Sequence, residues 1–399
     1  MRPPQPRWNG VSAIEVGVGP MEPGGMIDFS ALTEPVAGLR CVIVVPARNE
    51  EALLPRALQA LRQQHAVAWP HEIMVLANNC DDGTAAAARA IAASNHRAPV
   101  HVLEVHWPTT EANVGRARRV LMDEAVNRLE RAGADRGVVI STDADTQVSN
   151  DWLASNLAAV DAGADAVGGR IVTDDDHTLP DTLQRLKQLD DSYRLLRARL
   201  EALVDPDPAD PWPRHHQHFG ASLAVTAAAY RAVGGLPSVP FLEDEALVRL
   251  LRRHDRRVRH CPHVQVSTSA RLDGRAAVGL SWQLREWAMR SAADDTPQVC
   301  DPTSESERWR LRRRARAMWL ASRGSTGEHL PIRGLLTQVA AALNTAGHEL
   351  ENRVALSTSF GGFWEDIEQR LPGLAQIPMV DAVERLQRLI SAASTAHAN

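Results

Sequence analysis

Between residue 39 and about residue 171, short apolar runs alternate with helical patterns, and this alternation limits the fold more than any other feature of the chain. Residues 41–45 (CVIVV) are continuous, apolar and β-branched, the composition of a strand covered on both faces. A helical pattern follows over 50–64, then a strand over 71–77 (HEIMVLA) and a helix over 84–93. The order continues with a strand over 100–105 (VHVLEV), a helix over 115–131, a strand over 137–142 (GVVIST), a helix over 150–162 and a strand over 164–172. Repeated βα units of this length predict an α/β fold with a doubly wound, mostly parallel sheet and right-handed crossovers. Such sheets bind ligands at the carboxyl ends of their strands.

The rest of the chain divides around this block. Residues 1–38 are rich in Pro and Gly without periodicity and read as a loose arm. From 181 onward a helix carries Leu183, Leu186, Leu189, Tyr193, Leu196, Leu200 and Leu203 at helical spacing, a packing stripe. Beyond about 276 the pattern is wholly helical, so the expected units are an arm (1–38), a catalytic domain (39–275) and a helical C-terminal region (276–399).

Composition removes several function classes. Of 44 basic residues only Lys187 is a lysine, and it lies in a helical stretch with no glycine-rich neighbour, which excludes a Walker P-loop and Schiff-base chemistry. A net charge of −5 argues against a non-specific nucleic-acid binder. The four cysteines have neither zinc-ligand nor disulfide-framework spacing. No apolar run is long enough to span a bilayer and the first 38 residues lack a secretory pattern, so a cytoplasmic location is expected.

Chemistry-bearing residues gather where the strands end. Asp143 and Asp145, one residue apart after the fourth strand, can offer both carboxylates to one hard cation, or Asp145 caps a turn and Asp143 is solvated. Asn49 and Glu50 follow the first strand, where Asn49 can cap the next helix and Glu50 suits its dipole. Asn78 to Thr84 form a turn after the second strand, and Asn113 to Arg116 open the third helix, with Arg116 either reaching a phosphate or solvating the surface. Glu243, Asp244 and Glu245 start a further helix, as dipole complement or with one of them as a general base.

In order, PARNE (46–50), ANNCDDGT (77–84), NVGRARR (113–119), TDADT (142–146), GASLAVTAAAYRAVGG (220–235) and FLEDEAL (241–247) resemble family 2 glycosyltransferases, which have the Rossmann-like GT-A fold; the match spans about two thirds of the chain. The resemblance implies a metal-dependent hexosyltransferase using a UDP- or GDP-linked sugar. Ala47, Glu50 and Asn78 would contact the nucleoside and Arg116 the nucleotide or diphosphate. Asp145, assisted by Asp143, would hold Mg²⁺ or Mn²⁺ on the diphosphate, and Gly220 and Ala221 would approach donor sugar or acceptor through backbone. Asp244 would deprotonate the acceptor hydroxyl, with Glu243 beside it binding donor or acceptor, and the anomeric centre would invert.

Three departures bear on these roles. An asparagine, Asn78, stands where the family has an acid that reads the base. The histidine that family members place after the strand containing residues 264–266 is missing; Arg271 and Arg275 could neutralise diphosphate there or be solvated, and His216 or His218 could supply the absent ligand. Gln283, Arg285 and Trp287 do not reproduce the spacing of processive synthases, which favours transfer of a single sugar. Six arginines over 308–316, with Trp309 and Trp319 in the stretch 305–323, suit either a solvated helix packed on the catalytic domain or an anionic membrane surface carrying a lipid-linked acceptor; the tail could also cover a small-molecule acceptor or form a homodimer. A nucleotidyltransferase and a non-catalytic nucleotide-sugar binder are the alternatives, the first disfavoured by the lack of glycines after the first strand.

Overall fold

The computed structural model describes residues 27–398, apart from 31, 95, 97, 175–178, 240, 270–278, 293–296 and 325–331. Four strands come first, β1 (Cys41–Ala47), β2 (His71–Asn78), β3 (Val100–Val105) and β4 (Val138–Ser141), linked by α1 (Leu54–Arg62), α2 (Thr84–Ala92) and α3 (Val114–Arg131). They are mutually parallel, β1 lying between β2 and β4. Next come β5 (Thr146–Val148), α4 (Trp152–Asp161), β6 (Ala166–Asp174) and α5 (Asp181–Val204). A single 3-10 turn (Gly220–Ser222) leads into β7 (Leu223–Thr226), followed by α6 (Ala227–Ala232), α7 (Glu243–Arg253) and β8 (Val258–Ser269). All eight strands form one sheet in the order β3-β2-β1-β4-β7-β6-β8-β5.

Every residue of β1 is buried, and its side chains alternate between two cores. Val42 and Val44 pack with Leu121, Met122 and Ala125 of α3, while Cys41, Ile43 and Val45 pack with Leu54 and Leu58 of α1 and Trp152 of α4. Each such side chain contributes about 1.5–3 kcal/mol when fully buried. Helices thus cover both faces, as the apolar runs predict. The strand expected over 164–172 forms as β6, but it does not extend the parallel set directly. Antiparallel β7 separates it from β4, because β7 starts where β4 ends, Leu223 pairing with Ser141.

Three boundaries differ from expectation. The first helix starts at Leu54 rather than Glu50, because Asn49 turns away to bond the next loop instead of capping it. The N-terminal arm is not loose throughout its described part: Ile27, Phe29, Leu32 and Val36 pack against the α3 core. Glu72, buried on β2, accepts from Val36 N–H at 2.8 Å and from Arg128 Nε at 2.7 Å, and Arg128 Nη1 donates to Thr33 O at 2.9 Å.

The C-terminal region, finally, contains α8 (Leu280–Ala292), α9 (Pro302–Ser322), α10 (Ile332–Ala342), α11 (Gly347–Leu356), α12 (Phe360–Glu368) and α13 (Met379–Ala398), but also two short strands. These are β9 (Gln298–Cys300) and β10 (Gln376–Pro378), which pair antiparallel. The leucine stripe of α5 belongs to this region, since Tyr193, Leu200 and Val204 pack with Trp309, Leu386 and Ile390. Two of the α9 arginines are spent internally: Arg312 donates to Asp205 and Glu201 at 2.5 and 2.7 Å, and Arg316 to Asp205 at 2.5 Å. With Trp309, Ala315 and Met318 buried, α9 is an inner wall that exposes Arg310, Arg313 and Arg314. No helix among the described residues is long and apolar enough to cross a membrane.

Arg128 and Glu72 are both fully buried, so Arg128→Met strands a carboxylate and should cost about 3–5 kcal/mol in urea unfolding. Burial pushes Glu72 up, but His101 and Arg128 prevail and hold it at about 2, below its ordinary 4.5. Its contribution is therefore complete above pH 4.5 and is lost as pH falls toward 2, a dependence that acid titration of stability should show and Arg128→Met should weaken.

Candidate active site

The sheet order reverses between β1 and β4, which places the crevice of this fold beside Ala47 and the Asp143 turn. Three strand-end loops are stitched into one rim there. Asn49 and Asn79, just beyond β1 and β2, both adopt left-handed φ of 54° and 50°, a conformation asparagine tolerates. Asn49 Oδ1 accepts from Asp81 N–H at 2.9 Å, and Glu50 N–H donates to Thr84 Oγ1 at 2.8 Å. Asn79 holds the loop after β3 through Trp107 N–H at 2.9 Å and Trp107 O at 2.8 Å. Ala47 closes β1 opposite Ala77, and Asn78 follows on β2. Asn78 is buried, and its Oδ1 has no hydrogen-bond partner among the described residues. Leaving such an oxygen unsatisfied costs about 1–3 kcal/mol, which a ligand N–H would recover.

Two arginines on α3 go different ways. Asn113 caps the helix by accepting from Arg116 N–H at 2.9 Å. The Arg116 guanidinium then lies over the Trp107 ring, 4.5 Å from its centroid, and pairs with Glu111. Arg118 points the other way and is buried. Its Nε donates to Ser141 Oγ at 2.9 Å and its Nη2 to Asp143 Oδ1 at 2.7 Å, while Nη1 pairs with Glu243. Gly220 rests on this guanidinium, where a Cβ would lie 2.4 Å from Cζ. Arg118 therefore joins the Asp143 turn, the start of α7 and the 3-10 turn. The family resemblance points to Arg116 and not to Arg118. Its signal was an arginine in line with the buried positions Leu121, Met122 and Ala125.

The Asp143 turn is anchored on both sides. Thr142 N–H donates to Val44 O at 3.1 Å and Thr142 Oγ1 to Ala221 O at 2.9 Å. Asp145 receives Thr268 Oγ1 at 3.4 Å, from the stretch after residues 264–266 where the resemblance expects a histidine. Neither His216 nor His218 supplies a third ligand: among the described residues no three His, Cys, Asp or Glu side chains converge on one cation position. Both His218 nitrogens are engaged, by His260 and Glu245. Arg271 and Arg275 lie outside the described residues.

At α7, Leu242 adopts a left-handed φ of 58° just before the helix, a conformation costing roughly 1–2 kcal/mol for such a side chain. The turn delivers Glu243 to Arg118 and Asp244 to the 3-10 turn. Asp244 Oδ2 accepts from Gly220 N–H at 2.6 Å and Oδ1 from Glu245 N–H at 2.8 Å. Burial pushes the Asp244 carboxyl above its ordinary range, with Arg118 opposing. Asp143, Glu243, Asp244, Gly220 and Ala221 are thus brought together around one guanidinium, whereas Arg116 stands apart at Trp107.

Residues 42–212 match the model of glycosyl transferase family 2. Over that stretch the chain is similar to this family. A comparison with curated proteins finds no match. Among solved structures, the chain is similar to the mannosyltransferase PcManGT from Pyrobaculum calidifontis, in complex with GDP-Man and Mn²⁺, at 20% identity and a TM-score of 0.44, over 84% of this chain and 86% of that one. It is also similar to S. aureus TarS 1-349 in complex with UDP-GlcNAc, at 13% identity and a TM-score of 0.42, over 90% and 92% of the two chains. Glucosyl-3-phosphoglycerate synthase from Mycobacterium tuberculosis gives 17% identity and a TM-score of 0.35, over 65% and 81%.

Gly220→Ala tests this candidate site without removing a charge. The added methyl must displace the Arg118 guanidinium, so the variant should lose about 1–3 kcal/mol of stability. Sugar-nucleotide affinity should fall with it, as read by calorimetric titration.

Proposed function

We propose that the protein transfers a single hexose from a UDP- or GDP-linked sugar to a hydroxyl of a small-molecule or lipid-linked acceptor, inverting the anomeric carbon. The observation that carries this reading is the Arg118 bridge. One buried guanidinium ties the Asp143 turn to the acids of α7, so a diphosphate at the first shares a rim with the carboxylate of Asp244. The catalytic unit is residues 39–275, steadied by the segment before it, and 276–399 backs it through α5.

Asp143 and Asp145 offer the hard oxygen donors that Mg²⁺ or Mn²⁺ takes when phosphate oxygens fill the remaining positions, and these residues would hold it. Such a cation, when bound, neutralises charge on the departing nucleoside diphosphate. Asn78 Oδ1 accepts an N–H from the base, a role open to the ring N–H of uracil or guanine. Ala47 and Glu50 would contact the nucleoside beside it, and Arg116, seated on Trp107, would reach the nucleotide or diphosphate. Gly220 and Ala221 present backbone to the sugar. Asp244, its plane set by two backbone N–H groups, takes the acceptor proton, and its raised pKa suits a base working near neutrality.

Titration with UDP- and GDP-sugars, in Mn²⁺ and then in EDTA, tests the donor half. One of them should bind only with metal, and Asp145→Ala should abolish that binding; no binding of any sugar nucleotide in Mn²⁺ would sink the proposal. For the acid–base half, Asp244→Asn should lower kcat about 100- to 10,000-fold while donor affinity stays within a few-fold. Wild-type kcat/KM should fall on the acid side as Asp244 protonates, at a pH above the ordinary carboxylate range.

A further inference from the structure

A second polar chain runs through the stretch 210–218 and ends beside Asp244. Asp210 Oδ2 faces His260 Nδ1 at 2.6 Å, His260 Nε2 faces His218 Nδ1 at 2.9 Å, and His218 Nε2 faces Glu245 Oε2 at 3.0 Å. Asp210, His260 and His218 are buried. Glu245 directly follows Asp244 on α7.

The protons on this chain can be counted, because each of the three contacts needs one hydrogen. Asp210 also accepts from His260 N–H at 2.8 Å, Arg259 at 3.0 Å and Arg214 at 2.7 Å, so it stays ionised and His260 Nδ1 donates to it. Burial and the positive Arg252 guanidinium, 3.4 Å from His260 Nε2, disfavour a second proton on this ring, so it is neutral and Nε2 is the acceptor toward His218. The hydrogen between the two rings then belongs to His218 Nδ1. That leaves the third proton between His218 and Glu245. Burial pushes Glu245 up, but His218 beside it prevails and holds it at about 2, which makes the contact imidazolium to carboxylate. Burial lowers His260 to about 4, in keeping with a neutral ring.

Other charges face the chain. On α7 they are Asp244 and Arg252; on β8, Arg259; in the 210–218 stretch, Arg214, with the His215 ring edge-on to His260 at 5.8 Å. From α5 and β6, Arg194 and Arg170 add positive charge, and Glu201 is taken up by Arg214 at 2.8 Å. The only carboxylate of this group that His218 bonds is Glu245.

We infer that His218, oriented by His260 and Asp210, is a positioning residue for sugar transfer, holding the start of α7 and with it Asp244 while the third proton stays on the chain. The inference rests on Asp244 acting as the base. Removing that proton leaves a bare His218 Nε2 lone pair against the Glu245 carboxylate. The contact then opens, and transfer falls on the alkaline side.

Two measurements on the full-length protein test this. The first is kcat and KM against pH for wild type, His218→Gln and Glu245→Gln. The His218→Gln amide donates to Glu245 at every pH, so this variant should lose the alkaline fall, with kcat near neutrality about tenfold lower and KM for the sugar nucleotide within about twofold. An unchanged alkaline fall, or a uniform loss at all pH values, would overturn the inference. The second is the ¹⁵N spectrum of histidine-labelled protein on the acid side of the alkaline fall, assigned by the signals missing in His218→Gln and His260→Gln. It should show His218 protonated on both ring nitrogens and His260 on Nδ1 alone. Two neutral rings overturn the proton count whether or not the protein transfers sugar. The expected spectrum with no transfer at any pH would instead overturn the role of Asp244, and the positioning role with it.

Discussion

A guanidinium buried without partners would cost far more than this fold could offset, and Arg118 is tolerable only because Ser141, Asp143 and Glu243 surround it. Those three acceptors come from the end of β4, from the turn beyond it and from the start of α7. Desolvation of one side chain therefore compels three stretches of chain, α3, the end of β4 with its turn, and the start of α7, to converge on the candidate site. Arginine is suited to this as lysine is not, since its planar fork presents several donors in fixed directions. Gly220 completes the arrangement, because any side chain there would occupy the space of the fork.

The rim above the sheet is built differently from the core beneath it. The core rests on alternation along β1, each side chain committed to one face or the other. The rim rests on backbone turns of unusual φ at Asn49, Asn79 and Leu242, held by cross-loop hydrogen bonds. Asparagine enters that conformation readily and leucine does not. The strain at Leu242 is offset by the bonds that Glu243 and Asp244 make immediately after it.

Much of this was legible in the chain. The four parallel strands and their helices were readable because period-two and period-3.6 burial leave different marks in a sequence. The carboxylates were readable because they sit where those strands end. The start of α1 was not, since Asn49 has the composition of a cap and only the neighbouring loop shows that it bonds Asp81 instead. The same ambiguity hid α9, whose arginines look like a surface stripe until Asp205 and Glu201 of the α5 region are seen to take Arg312 and Arg316 inward.

The sequence by itself determined the doubly wound sheet, the order of its first helices and the identity of the acids at its edge, because these follow from local spacing. Tertiary structure alone decided which arginine enters the site, which direction β7 runs, and that His218 joins Glu245 to His260 and Asp210. Each of those depends on residues tens of positions apart meeting in a buried space, where an unpaired charge or polar atom is costly and every partner must be found across the fold.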